Sequence, residues 1–283
     1  MSFKRKLVTI ATSFILTSTA FASDIDMNEK EASFLEFITP MLAPSNLAAY
    51  HVNETSINDY YEVLLLDGRT ILVNEEGSKG VISMRNGVAM FDFKEARNIS
   101  AERRGELTRK YVDNADEYIT YKAKDEKHSI VVFADIQCGY CQALHDDIPA
   151  LNAAGVTVKY LPVPAFNNSD RLMNAAYCSK DSGQAYSEMT DSLSIIRSNA
   201  KDKSKHTSGG RADYDKFVEQ GINILISSYK KEAVDSCEDY NMSRAKFNNR
   251  GLGILGTPAI LFEDNELVSG KLSVPAILNK LGQ

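Results

Sequence analysis

Two cysteines set three residues apart carry the clearest chemistry in the chain. Cys138-Gly139-Tyr140-Cys141 follows the apolar run Ile130-Val131-Val132-Phe133, where a helix is expected to start near Gly139 and run towards Asn152. At a helix start, unpaired amides and aligned peptide dipoles stabilise negative charge. A thiol placed there ionises more readily, and the thiolate is the species that attacks disulfides. Cys138 is therefore the expected nucleophile. Cys141, one turn deeper on the same face, can attack a mixed disulfide formed on Cys138 and so release it. Gly139 and Tyr140 lie between them, where a substrate would make contact. Two plainer readings compete: a structural disulfide, or half of a zinc site, which needs about four ligands. The four histidines, His51, His128, His145 and His206, show no paired ligand spacing. His145 shares the general face of the Cys141 helix and reads as a solvated side chain. Asp135, the carboxylate just before the motif, reads as a solvated loop acid, which leaves the proton acceptor for Cys141 unidentified.

Gly256-Thr257-Pro258 is the second feature, immediately before the apolar strand Ala259-Ile260-Leu261-Phe262. Beside a dithiol in an alternating α/β pattern, it suggests a cis proline, since such bonds are rare and sit in tight turns. Thr257 and Pro258 would then face the dithiol. The Thr257 backbone could pair with an extended substrate segment by strand addition.

The positioning elements follow from periodicity. Strand Ile130–Phe133, the dithiol helix, strand Val156–Leu161, a helix from about Ser169 to Cys178, and a hairpin turning at Asp264-Asn265 give a strand–helix alternation. Ser273 caps a last helix, with Pro275 in its first turn. A polar, glycine-containing tract, Ser198 to Asp213, reads as an exposed loop inside a helical insertion over about 185–230, and helix resumes to about Asn248. Residues 98–121 read as one long polar helix with few apolar positions, typical of a connector. Residues 59–93 alternate at strand period between the turns Asp67-Gly68, Glu76-Gly77 and Asn86-Gly87. A helix capped by Asp26, with Glu29 closing a capping box and Leu35, Ile38 and Leu42 at helical spacing, precedes them.

The first residues stand apart. Lys4, Arg5 and Lys6, the apolar run Leu7 to Leu16, and Ala20-Phe21-Ala22 have the order of a secretory signal peptide, placing the mature start near Ser23. Removing residues 1–22 leaves 29 basic against 38 acidic residues, a formal charge of −9. That balance argues against nucleic acid as a partner, since phosphate binding needs concentrated Lys and Arg. Four cysteines in an exported chain suggest disulfides. Their spacing gives one close dithiol and one wide pair.

The run Val131 to Cys141 (VVFADIQCGYC), His145, the strand Val156–Leu161 and Gly256-Thr257-Pro258-Ala259 resemble the thioredoxin superfamily, and within it the DsbC-type periplasmic disulfide isomerases. The resemblance implies a mixed α+β and α/β chain. Its parts are a signal peptide over 1–22, a small α+β dimerisation module over 23–96, a linker helix over 97–127, and a thioredoxin-like catalytic domain over 128–283 with the helical insertion. It implies a homodimer and a membrane thiol reductase that keeps Cys138 and Cys141 reduced. Misfolded disulfide-containing exported proteins would be the substrates, and dithiol exchange calls for no cofactor. Cys178 and Cys237 match that family's structural cysteine pair, spread apart by the insertion. Gly139-Tyr140 resembles the isomerase form of the motif. The chain departs from thioredoxins in having Gln137 rather than tryptophan before the first cysteine, and Val132 where a buried acid is usual. A dithiol oxidase and a holdase chaperone without catalysis are the alternative functions.

Overall fold

The computed structural model describes residues 27–84, 87–115, 118–229 and 251–283. The signal-peptide segment, Asn86 of the third turn, Cys237 and the helix expected to reach Asn248 lie outside them. The chain divides into two compact units, Met1–Arg103 and Arg104–Gln283.

The N-terminal unit begins with helix α1, Glu29–Leu42. Asn28 is the cap, in place of the expected Asp26. Its side chain accepts from the Glu31 amide while the Glu31 carboxylate accepts from the Asn28 amide, each at 2.9 Å. Two otherwise orphaned donors are satisfied by this exchange. Phe34, Ile38 and Leu42, spaced by one helical turn, are the buried stripe. They pack on a six-stranded antiparallel meander: β1 (Ala49–Glu54), β2 (Tyr60–Leu65), β3 (Thr70–Asn74), β4 (Lys79–Met84), β5 (Gly87–Asp92) and β6 (Arg97–Asn98). The turns at Asp67-Gly68 and Glu76-Gly77 join β2 to β3 and β3 to β4, and Gly68 and Gly77 have positive φ as these turns require. Strand β1 was not anticipated, because its single polar-flanked Val52 gives little alternation to read.

Helix α2, Ile99–Asp113, ends well before Tyr121, and Ile119–Tyr121 is strand β7 of the second unit. From Arg104 onward, the segment expected as a free linker is part of the C-terminal unit. Its contacts escape an apolar-stripe reading because they are made by small and polar side chains. Gly105 meets the backbone of Asn265 so closely that a Cβ would lie 1.9 Å from that carbonyl oxygen. Arg109 donates to the Phe262 carbonyl at 2.7 Å and to Asn265 Oδ1 at 3.1 Å.

The C-terminal sheet has the order β11-β10-β8-β9-β7. Strands β8 (His128–Ala134) and β9 (Val156–Pro162) run parallel, joined through helices α3 (Gly139–His145) and α4 (Ile148–Ala153). Strand β10 (Ala259–Leu261) is antiparallel to β8 and forms the expected hairpin with β11 (Leu267–Ser269). The single helix anticipated from Gly139 to Asn152 is thus two. Pro149 has no amide to donate and sits in the first turn of α4, where none is required. Both faces of β8 are covered. Ile130, Val132 and Ala134 belong to one apolar cluster, with Leu144, Leu172 and Tyr186; Val131 and Phe133 belong to another, with Val112 and Leu261. Helix α5, Ser169–Tyr177, follows β9, and α8, Val274–Lys280, is capped by Ser273.

The insertion is a helical hairpin, α6 (Ser182–Ser204) and α7 (Arg211–Tyr229). The exposed loop expected over 198–213 therefore shrinks to the turn between these helices. Ala200 is buried, Lys201 and Lys203 suit the negative end of α6, and Asp213 accepts from the Gly209 amide at 3.1 Å. Cys178 is buried and disulfide-bonded. Among the described residues no helix is long and apolar enough to cross a membrane.

Candidate active site

Strand β8 ends in a loop, Asp135-Ile136-Gln137, that delivers Cys138 to the N-cap of α3. Cys138 is extended (φ −75°, ψ 120°); its amide donates to the Asp135 carbonyl and its carbonyl accepts from the Gln142 amide, both at 3.0 Å. The loop is held from below by a carboxylate. Asp135, expected in solvent, is fully buried. Its Oδ1 accepts from the Gln137 amide and the Ser169 hydroxyl, each at 2.7 Å, and its Oδ2 from the amides of Ala165 (2.6 Å) and Phe166 (3.3 Å). Four donors satisfy the charge that burial would otherwise penalise. The Gln137 side chain adds two bonds to the same neighbouring loop, to Asn167 O at 2.5 Å and Ser169 Oγ at 3.0 Å. The loop before the nucleophile and the loop before α5 are thereby pinned together.

Both cysteines are reduced and buried. Cys138 has its pKa lowered from 9.0 to about 5. The main cause is a hydrogen bond from the Cys141 thiol, followed by the Thr257 side chain and the Cys141 and Tyr140 amides, against a burial penalty. A seven-residue α3 has a small macrodipole, so these local donors do most of the stabilising. The Cys141 thiol is pushed strongly the other way. Cys138 accepts its proton, and Cys141 itself is only 2% exposed. One sulfur is thus poised as thiolate and the other held as thiol.

The Thr257–Pro258 bond is cis, and the Thr257 carbonyl lies 3.3 Å from Cys138 Sγ. That carbonyl can accept from the Cys138 thiol when it is protonated, whereas the Thr257 side chain favours the thiolate. Tyr140 projects into solvent, 71% exposed. The structure therefore brings Cys138, Cys141 and Thr257 together, with Gly139 and Tyr140 at the rim and Pro258 following Thr257. Cys237 lies outside the described residues. Among the described residues no cluster of three or more His, Cys, Asp or Glu could hold a metal.

His145 also departs from its expected solvated state. Its ring lies among Tyr121, Tyr160 and Tyr186, with centroids 5.2, 6.0 and 5.6 Å away. Nε2 is 3.0 Å from Ser187 Oγ, and burial lowers the ring's pKa against the opposing pull of Asp146 and Asp191. Asp135, Gln137 and Ser169 were the organising residues missed from sequence. A small signal existed: an acid, an amide and a hydroxyl flank the dithiol strand and the loop after Pro164.

A strand-delivered dithiol facing a cis-proline turn, on a five-stranded sheet covered on both sides, defines a thioredoxin-like protein. Residues 115–283 match the thioredoxin-like domain family, and the chain belongs to it. Its curated relatives carry the name thiol:disulfide interchange protein DsbC. The Escherichia coli K12 protein is 42% identical over 82 residues, covering 28% of this chain and 35% of that one. The Pasteurella multocida protein is 29% identical over 171 residues, covering 59% of each. The matched stretches thus span between a third and three fifths of those relatives. A solved disulfide interchange protein from Neisseria gonorrhoeae aligns at 16% identity and a TM-score of 0.41, over 59% of this chain and 94% of that one.

Proposed function

We propose that this chain is a periplasmic thiol:disulfide interchange enzyme that isomerises or reduces wrong disulfides in exported proteins. The observation that carries this reading is the asymmetry of the dithiol, with an acidic Cys138 beside Thr257 and a buried Cys141 held as thiol. The Cys138 thiolate attacks one sulfur of a substrate disulfide. A Cys138–substrate disulfide forms, the substrate bond breaks, and its second sulfur leaves as thiolate. If a substrate thiolate then attacks the substrate sulfur of the mixed disulfide, Cys138 returns as thiolate and the pairing has changed with no net redox. If Cys141 attacks Cys138 Sγ instead, its proton passes to the departing substrate thiolate. The substrate leaves reduced by two electrons, and the Cys138–Cys141 disulfide must be reduced again by a membrane dithiol reductase. Gly139, Tyr140, Thr257 and Pro258 contact the substrate in this scheme, and Cys178 pairs with Cys237 to tie down the insertion.

A dithiol oxidase is the second reading, favoured by the same acidic Cys138. Stabilising the thiolate stabilises the reduced enzyme and makes its disulfide a stronger oxidant. The decisive experiment compares reactivation of a scrambled multi-disulfide protein by the reduced chain with oxidation of a reduced substrate by the oxidised chain. Efficient reactivation, lost in Cys138→Ala, is expected; rapid oxidation with little unscrambling would establish the oxidase. A holdase role would survive in Cys138→Ala as retained suppression of aggregation.

The same reading makes the protein a homodimer joined through the N-terminal module over 23–96. Support comes from the exposed apolar residues Met84 of β4 and Val88 and Met90 of β5, the last two on a strand that the two-residue edge strand β6 pairs only at Phe91 and Asp92. Sedimentation of the mature chain at micromolar concentration should give a dimer, and Val88→Asp a monomer. A monomeric wild-type chain rules the dimer out.

A further inference from the structure

The insertion is wired to the dithiol by one side chain. Arg197, in the C-terminal half of α6, donates from Nη2 to the Gln137 carbonyl at 3.0 Å. That carbonyl belongs to the peptide unit whose amide is Cys138's own, and the amide in turn donates to Asp135 O at 3.0 Å. The peptide that presents the nucleophile is therefore gripped at both ends. Asp135 and Arg197 act on the residue before it with opposite charges: the carboxylate accepts from the Gln137 amide, the guanidinium donates to the Gln137 carbonyl.

Three observations make this more than a surface contact. Arg197 is half-buried, and among the described residues its guanidinium forms no salt bridge. The helix that carries it is fixed: Gly221 of α7 packs so closely on Ile196 that a Cβ would lie 2.6 Å from its Cγ2. A second bridge runs beside the first. Arg171 of α5 donates to Asn223 of α7 at 2.9 Å and to Asn168 at 3.2 Å. Asn168 adjoins the Asn167 carbonyl that accepts from Gln137.

We propose that Arg197 is a positioning residue for the dithiol: through the Gln137 carbonyl, the inserted helical hairpin holds the Cys138 peptide and places a permanent cation on the carbonyl of the residue before the nucleophile. The insertion is on this account a regulator of thiol reactivity. The groups that face Cys138 from the surrounding elements are the Cys141 thiol, the Tyr140 and Cys141 amides, and the Thr257 side chain and carbonyl. Asp135 and Arg197 act through the preceding loop. Of these, Arg197 alone is a cation, so removing it takes away the positive charge held at the Gln137 carbonyl. A nearby unlike charge favours the charged form of a thiol, and a like charge disfavours it.

The proposal rests on Cys138 being the acidic nucleophile, and the test separates the two claims. Thiolate absorbance of the full reduced chain is titrated for wild type, Arg197→Met, Arg197→Gln and Arg197→Lys, with Cys138→Ser supplying the baseline. Arg197→Met and Arg197→Gln should raise the Cys138 pKa by about half a unit to one unit. Both should make the disulfide less oxidising, shifting its equilibrium with glutathione by about threefold to tenfold. Arg197→Lys keeps the charge and should restore both values. Arg197→Gln keeps a donor for the carbonyl and decides the matter alone if Arg197→Met fails to fold. A wild-type titration in Arg197→Gln overturns the proposal. A wild-type Cys138 that titrates like an ordinary cysteine would instead defeat the functional reading, whatever the variants do.

Discussion

In the N-terminal sheet, strand β2 alternates: Tyr61, Val63 and Leu65 are buried, Glu62 and Leu64 half-exposed. In the C-terminal sheet, β8 buries Ile130 through Ala134 without a break. The first sheet has one face covered, by α1, and the second has both. The difference extends to polar groups. Among the described residues His51 is the one buried polar side chain of the first unit, whereas Asp135, Gln137, Thr157 and Ser169 are among those of the second. A doubly covered sheet gives a dry edge at which hydrogen bonds are strong and unpaired charges costly. Side chains there can hold a loop, and so a sulfur, in one place. A singly covered sheet leaves a surface free for another role, here proposed to be pairing with a second copy. Chemistry and association are thus divided between two kinds of burial.

The contrast is broken most forcefully at Asp135. Asp135→Ala strands four donors in the C-terminal unit and should cost about 3–5 kcal/mol of stability. Exchange activity should fall with it, since the loop before Cys138 loses its anchor. His51→Ala, the matching test in the other unit, removes a ring with a single partner, Asn53 at 2.9 Å, and should cost about 1–2 kcal/mol. Urea unfolding of the reduced chains measures both. Equal losses at the two positions would show that polar anchoring is not special to the catalytic unit.

Much of this was legible in the sequence, and the reason is periodicity. A continuous apolar run before Cys138, Asp-Gly and Glu-Gly turns between alternating strands, and a Thr-Pro before Ala259 each impose a local geometry without help from distant residues. What escaped depends on tertiary neighbours. Asp135 has no sequence mark that separates a buried carboxylate from a solvated one; the deciding donors come from residues 165–169. His145 carries no sign of the three tyrosines around it, which arrive from three other segments. The docking of α2 rests on Gly105 and Arg109, neither of which belongs to an apolar stripe. Arg197 lies sixty residues from the carbonyl it holds, in a segment whose composition marks only a solvated helix.

The next effect depends on pH. Cys138 ionises near 9 in the unfolded chain and near 5 when folded and reduced. Above pH 9 both states are thiolate and the stabilisation is complete. As pH falls from 9 to 5 the unfolded state takes up the proton first and the stabilisation declines; below 5 it is gone. Cys141 remains a thiol in the folded chain, so it opposes this only above its ordinary range. The stability of the reduced chain should therefore rise relative to Cys138→Ser between pH 5 and 9. The slope is at most about 1.4 kcal/mol per pH unit, less what solvent screening removes near the surface. Parallel curves for the two chains would mean the thiol is not acidic. Unfolding of the N-terminal unit, with no comparable thiol, should not follow this curve.

The smallest effects test whether the units are independent. Val63 is fully buried under α1, and Val63→Ala should lower the stability of the N-terminal unit by about 2 kcal/mol through lost packing. Leu66, two-thirds exposed at the adjacent turn, has little packing to lose, and Leu66→Ser should change stability by no more than about 0.5 kcal/mol. Neither should move the titration of Cys138, since every group named as shaping it belongs to residues 135–257. Thiolate absorbance on the Val63→Ala chain is the sharper of the two readings, because it asks the catalytic unit about damage done elsewhere. An unmoved thiol with a lowered N-terminal transition is what separate cores require. A thiol that shifts with Val63 would mean that strain in the one-sided sheet reaches the dithiol, and the division of labour between the two sheets would have to be given up.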